Sequence, residues 1–392
     1  MSAEFPIVNV IMLVGAAQGG LIAALILQKH RTLYANRFLA MMMIAMAAIL
    51  VHLTVEDIGG FASIRWVFPL LFAIPLAVPP LLYLYAEYLA NRSNSFPGER
   101  WLHFLPSFLA AGVAAALVFG SSSHEEMFAD QSNMDHFPAF FLVFNWAIIL
   151  QGAIYIVLVL VTIRHYNERI KEYYASYEAL QLRWLQNITS FLVFAWFIFF
   201  AENSLVTVGI NFSHFIISSV LVALYLLVLG YMGLLKSGVL ESSPQAVQED
   251  GSLGPESIEA AATAKYERSG LSPEVAQRYK MDLLELMERE RLFVRSDLTL
   301  PQLADRLSVS PHNLSEVINT QIGKNFYEFV NAYRVEQVKR DLHDPAKQNL
   351  KMLSIAYDAG FNSKASFNTV FKQFTSLTPS EYRKRASQSA SD

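Results

Sequence analysis

Hydrophobic residues follow two different patterns along this chain. Before residue 236 they come as unbroken apolar runs; after residue 271 they recur at every third or fourth position among polar ones. A run of about 17–24 apolar residues spans a hydrocarbon core ~30 Å thick, whereas the second spacing gives one buried stripe on a soluble helix. The first pattern predicts seven spans, at residues 7–28, 38–54, 67–90, 104–120, 140–163, 188–208 and 215–235. The second predicts a helical soluble part, so the expected fold class is all-α: a seven-helix transmembrane bundle (1–236), a linker (237–271) and a second domain (272–392). The start carries Glu4 and no Lys or Arg before the first run, which reads as an uncleaved span rather than a signal peptide.

Two stretches fit neither pattern. Residues 164–187, between the fifth and sixth runs, are charged and aromatic, with Ile170, Tyr174, Tyr177, Leu180 and Trp184 at spacings of three and four. That spacing predicts an amphipathic helix or an extension of the fifth span, serving as an interfacial anchor or as a surface that passes on a signal. The linker is rich in Ser, Glu, Gly, Pro and Ala and has no apolar periodicity. A coil of ~35 residues reaches about 30–35 Å, so a signal crosses it more easily as a change in dimerisation than as a rigid push.

In the soluble part, polar caps frame each apolar stripe. Ser272 and Pro273 open a helix whose apolar face is Met281, Leu284 and Met287. Thr299 and Gln302 form a capping box before Leu300, Leu303, Ala304 and Leu307. Val309 is the apolar residue of the following turn, and Ser310 and Pro311 start a second helix. There Leu314, Val317 and Ile318 face inward and His312, Asn313, Ser315, Glu316 and Asn319 outward, with Gly323 as the stop. A long helix follows at about 326–342, and the plan then repeats. Ile355, Ala356 and Gly360 close one helix, Phe361 fills the turn, and Ser363 caps another. In that last helix Phe367, Val370, Phe371 and Phe374 face inward and Lys364, Ala365, Ser366, Asn368 and Thr369 outward. Thr378 and Glu381 make a further capping box. Two short helices joined by a tight turn, twice over, form a tandem helix-turn-helix.

Composition sharpens this picture in two places. Hydrophobic residues make up 53% of the chain and charged ones only 16%, well below the roughly 25% charged of an ordinary soluble domain. The net charge is −4, yet residues 299–385 hold 12 basic against 8 acidic residues, the sign that nucleic acid requires. Basic residues also orient the spans. Lys29, Arg31, Arg37, Arg92, Arg100, Arg164, Arg169, Lys171, Arg183 and Lys236 fall in one set of loops, and only Arg65 in the alternate set. The positive-inside rule then puts the N-terminus outside and the C-terminal domain in the cytoplasm, where DNA is. The absence of cysteine excludes disulfides, Cys-ligated zinc and thiol catalysis.

Polar residues within the spans are candidates for sensing. Asn145, Glu202 and Asn203 fall at one depth, where they meet a ligand or proton from the outer side, with Gln151 near the middle of the fifth span as a further sensing candidate. The alternative is that these residues fix packing by interhelical hydrogen bonds. Glu87, near the inner end of the third span, is read as snorkelling to the interface. Pro75, Pro79 and Pro80 predict a kink in that span, and Gly15 with Gly19 a close helix approach, within the chain or between copies. The acidic outer loop 121–137, with His124 and His136, and His52 and His214 at other outer ends, carries imidazoles and carboxylates that respond to pH or hold a metal, or are ordinary loop residues. No metal site, cofactor or catalytic group is assigned. The last span has no lysine before Lys236, against a retinal protein.

The stretch IAYDAGFNSKASFNTVFKQFTSLTPSEYR resembles the C-terminal signature of the AraC/XylS family of transcription regulators, and LADRLSVSPHNLSEVIN is similar to that family's first helix-turn-helix. The resemblance covers residues 298–385 and implies a seven-helix domain whose two recognition helices enter successive major grooves. Carried over by position, His312, Asn313, Ser315, Glu316 and Asn319 fall on the first reading face, and Lys364, Ser366, Asn368 and Thr369 on the second. Lys372 and Arg383 fall at phosphate or structural positions. Two departures stand out: Ser376 replaces a family glycine, straining that turn by about 1 kcal/mol if φ is positive there, and Val338 replaces a usual alanine. The combination resembles membrane-bound AraC-type regulators of the bacterial inner membrane. The expected partners are promoter DNA, the bilayer, RNA polymerase, a second copy of the chain, and an unknown small ligand or membrane partner. The rival readings are a membrane-anchored DNA-binder signalled by a partner protein, and a membrane enzyme or transporter with a fused autoregulatory domain.

Overall fold

The computed structural model describes residues 7–29, 34–57, 67–91, 98–120, 139–177, 181–207, 216–241, 271–347 and 349–389. The regular elements among them are all helical, and they form two compact units. One holds Met1–Tyr166 and Leu182–Glu241; the other holds Asn167–Gln181 and Ser242–Asp392.

The first unit contains α1 (Ile7–Lys29), α2 (Tyr34–Asp57), α3 (Phe68–Asn91), a 3-10 turn (Gly98–Phe104), α4 (Leu105–Gly120), most of α5 (Ala139–Tyr173), α6 (Arg183–Thr207) and α7 (Ile216–Glu241). Six of these helices, all but α4, are long and apolar enough to cross a membrane, which suggests a multi-pass membrane protein. The sequence pattern predicts seven. The fourth run loses its first residue, Phe104, to the 3-10 turn, leaving α4 at 16 residues, at the margin of the ~17 that span a hydrocarbon core.

Burial in this unit fits an apolar solvent. Met42, Met43, Leu50, Leu84 and Leu226 of α2, α3 and α7 are sealed inside, while Leu21, Leu70, Trp146, Leu150 and Phe197 of α1, α3, α5 and α6 point outward. Gly15 meets α7: a Cβ there would lie 2.8 Å from the Ala223 Cβ. The small-residue pair is therefore used for packing within the chain. Glu87 does not snorkel. It is buried and ion-paired with Arg100 of the 3-10 turn, because that turn brings a guanidinium within reach.

Two of the sensing candidates are occupied by structure. Pro80 has no N–H to give to the carbonyl of Leu76, four residues earlier in α3. Gln151 of α5 supplies the missing donor, its Nε2 lying 3.1 Å from that oxygen. The Glu202 carboxylate accepts the N–H groups of Ile217 (3.1 Å) and Ser218 (3.3 Å), which caps α7 at its positive end. The side chains of Asn145 and Asn203 lie outside the described residues, as do the outer loop 121–137 and His214.

The second unit is built on α8 (Pro273–Glu290), α9 (Leu300–Leu307), α10 (Pro311–Val317), α11 (Phe326–His343), α12 (Met352–Asp358), α13 (Lys364–Thr375) and α14 (Pro379–Ser389). Ser272 caps α8 as its sequence requires, accepting the Val275 N–H. Its buried face is Ala276, Leu283, Leu286 and Met287, and Met281 is 63% exposed. At about 100° per residue, Met281 points roughly 200° away from Leu283, so the apolar face predicted through Met281 is displaced. The face packs with Phe293, Leu300, Leu303, Leu314, Ile318, Phe329 and Val330 in one core.

The stretch after α5 departs from the expected amphipathic helix. The fifth helix does extend to Tyr173, but the chain then opens out, and Tyr174 forms an antiparallel bridge with Thr299. Ala175 is 1% exposed and belongs to the core of the second unit.

Candidate nucleic-acid interface

The first helix-turn-helix is set by its caps. Thr299 accepts the Gln302 N–H while the Gln302 side chain accepts the Thr299 N–H, closing the capping box of α9. Ser308 ends that helix at φ 54°, and Ser310 accepts the Asn313 N–H to start α10. Leu314, Val317 and Ile318 are buried beneath it. On the other side His312 and Asn319 are exposed, and Asn313, Ser315 and Glu316 are half-buried. Asn319 Nδ2 donates to Ser315 Oγ at 3.3 Å, which ties two of these side chains together. The helix continues into one π-turn, Ile318–Ile322, and stops at Gly323 with φ 71°.

The second repeats the design with a longer turn, five residues between helices rather than three. Gly360 takes φ 96°, and a Cβ there would lie 2.4 Å from the Phe293 carbonyl oxygen, so only glycine fits. Phe361 is buried next to it, and Ser363 accepts the Ser366 N–H to open α13. Lys364, Ala365, Asn368, Thr369 and Lys372 share one exposed face. Ser366 does not belong to it. It is buried, since it points about 200° round from Lys364, alongside Val370. Phe374, expected inside, is 37% exposed near the helix end. Arg383 donates to the Leu350 carbonyl at 2.7 Å, which gives it a structural occupation on α14.

Between the two lies a group that the sequence reading passed over. Arg334, midway along α11, is completely buried. Its Nε donates to the Phe293 carbonyl and its Nη2 to the Arg295 carbonyl, both at 2.8 Å. Its Nη1 reaches the Ala175 carbonyl (3.1 Å), Ser176 Oγ (3.0 Å) and Asn331 Oδ1 (3.3 Å). The guanidinium also lies 5.9 Å from the Phe361 ring centre, the turn residue of the second helix-turn-helix. One side chain thus ties the lead-in to the first helix-turn-helix to the turn of the second. The signal was present: Val330, Arg334 and Val338 stand four apart, which puts a charge on a buried stripe.

At α14, the Thr378 hydroxyl and N–H both donate to the Glu381 carboxylate, at 2.7 and 2.8 Å. These bonds, the hydroxyl first, hold that carboxyl below the usual value. Tyr382 packs edge-on against Phe371, joining α14 to α13.

Comparison with known proteins bears on this unit. Residues 303–385 match the family described as Helix-turn-helix domain. An HTH-type transcriptional regulator of Staphylococcus aureus strain COL is 36% identical over 92 residues, covering 24% of this chain and 12% of the relative. The HTH-type transcriptional regulator YtdP of Bacillus subtilis strain 168 is 31% identical over 90 residues, 23% of this chain and 11% of its own length. The chain thus spans about an eighth of the curated relatives it matches. Among solved structures, the C-terminal domain of AraT, a response regulator from Geobacillus stearothermophilus, is 30% identical, covering 30% of this chain and 88% of that one, with a TM-score of 0.24. The C-terminal quarter of the chain is a helix-turn-helix domain of the AraC type, similar in sequence to part of HTH-type transcriptional regulators.

Proposed function

We propose that the chain is a membrane-bound transcription regulator that binds promoter DNA sequence-specifically and answers a signal arriving through its membrane part. The loop charges support an N-terminus outside, seven passes including α4, and a cytoplasmic C-terminal domain in the inner membrane of a bacterium. On DNA, His312, Asn313, Ser315, Glu316 and Asn319 read one major groove, and Lys364, Asn368 and Thr369 the next. Lys372 contacts phosphate. The protein acts as a dimer and addresses RNA polymerase.

The observation that carries this reading is the pair of capped helices, α10 and α13, each with a polar exposed face backed by buried apolar residues. Lys364 and Asn368 lie one turn apart on α13, the spacing from which two side chains reach adjacent base edges. The test uses the full chain in nanodiscs and random-sequence duplexes carried through rounds of selection. The expected result is an enriched motif that Asn368→Ala relaxes at one base position. Uniform weakening across all sequences would move Asn368 to phosphate contact, and no enriched motif would contradict the regulator reading.

A second reading of the membrane part has its own support. Gln151 and Glu202 are hydrogen-bonded inside the fold, to a proline-freed carbonyl and a helix N-terminus. That favours a signal delivered by a membrane partner over a small ligand held by these two side chains.

A further inference from the structure

We infer that the loop after α5 is a strap that docks in cis on the DNA-binding domain and sets its affinity for specific sequence, a control surface at residues 174–177. This rests on the regulator reading above and identifies where its signal enters.

The docking is built from both sides. Ala175 donates its N–H to the Leu298 carbonyl at 3.1 Å, just ahead of the cap that starts the first helix-turn-helix. Its carbonyl accepts from Asn331 Nδ2 and Arg334 Nη1, both at 3.1 Å. Asn331 and Arg334 are both buried. Ser176 adds a second oxygen to the guanidinium. Tyr177 stacks edge-on against Tyr327 at 4.6 Å, on the first turn of α11. Tyr174 and Ala175 are buried in consequence.

A strap held this way has two settings rather than a range. When docked, it fills acceptor positions around a buried charge. When withdrawn, it leaves Arg334 Nη1 and Asn331 Nδ2 short of an acceptor that buried donors require. The strap therefore ends on the side chain that also holds Phe293, Arg295 and Phe361 together. Ordering that joint fixes one recognition helix relative to the other, which matters for binding two grooves at once and not for loose contact with phosphates. Its near end is the continuation of α5, so a displacement of that helix pulls directly on Tyr174. The path is short and does not involve the residues between 241 and 271.

The chain has no cysteine of its own, so a pair can be placed without background. In Tyr174→Cys with Thr299→Cys the two thiols face each other across the bridge. The full chain carrying them is studied in phosphatidylethanolamine–phosphatidylglycerol nanodiscs, with duplexes selected on the unmodified protein. Oxidation is expected to form a crosslink within one chain and to raise affinity for the selected duplex about tenfold over the reduced form. Affinity for unrelated duplex stays the same. The reduced form controls for the lost Thr299 cap. Independently, Tyr177→Ala leaves the domain's own residues intact. It is expected to lower the specific-to-non-specific ratio about tenfold and to speed amide exchange at 298–304 and 327–334. Equal specific affinity in the oxidised and reduced forms, with a motif still selected, overturns the strap alone. A crosslink formed only between chains overturns docking in cis. If the unmodified chain selects no motif at all, the regulator reading fails and takes the strap with it.

Discussion

Single residues account for the sharpest constraints in the DNA-binding unit. Ser376 sits at φ 61°, the left-handed conformation in which an L side chain is strained. Ser376→Gly should therefore stabilise the domain by about 1 kcal/mol, read as a higher denaturant midpoint for the purified chain. Gly360→Ala should do the reverse and more strongly, because the added Cβ meets the Phe293 oxygen while φ stays at 96°. Loss of protected amides in α13 at ordinary temperature is the expected sign; a fully protected α13 would show that the turn yields. Glu381 supplies a pH dependence. Its carboxyl is held below the usual 4.5 by Thr378, so the stability it adds is complete above that value and is lost as pH falls through the lower folded value. Amide exchange in α14 should accelerate in that acid window, and Glu381→Gln should remove the pH step.

The helices show where local pattern suffices and where it fails. Caps are legible because they are local: Ser272, Thr299 with Gln302, Ser310, Ser363 and Thr378 with Glu381 all do what their spacing requires. Faces were read nearly as well, and the misses are single residues. Met281 points outward, and Ser366 lies on the buried flank. What the sequence could not display is contact across long separations. Nothing near Ala175 announces that its carbonyl meets Arg334, 159 positions away. Gln151 reads as a polar oddity until the carbonyl freed by Pro80 is placed beside it. That contact makes a prediction at this scale. Gln151→Leu should unsatisfy the Leu76 carbonyl and lower the thermal stability of the membrane unit, whereas Pro80→Ala in the same background should restore it by returning the missing N–H. If Gln151→Leu is neutral, water or another donor serves that carbonyl.

For the whole molecule, two kinds of solvent explain two kinds of helix. The first unit turns many Leu, Trp and Phe outward, and the second buries most of its Leu and Phe. That division was visible in the hydrophobic pattern alone, as was the tandem helix-turn-helix. The span count was not, because a 16-residue helix lies at the margin of what crosses a bilayer. Domain limits read from composition also left residues 167–181 with the membrane part, whereas by contact they group with the DNA-binding unit.

Recovering the DNA bound by the full chain in its own membrane bears most directly on the central claim. Duplex fragments crosslinked to the membrane fraction are sequenced for the unmodified protein and for Lys364→Ala with Asn368→Ala. The regulator reading predicts a shared motif whose two conserved blocks lie about one helical turn, ~10 base pairs, apart, with the variant losing the block read by α13 and keeping the other. Recovery without any common motif, or an unchanged motif in the variant, would contradict it.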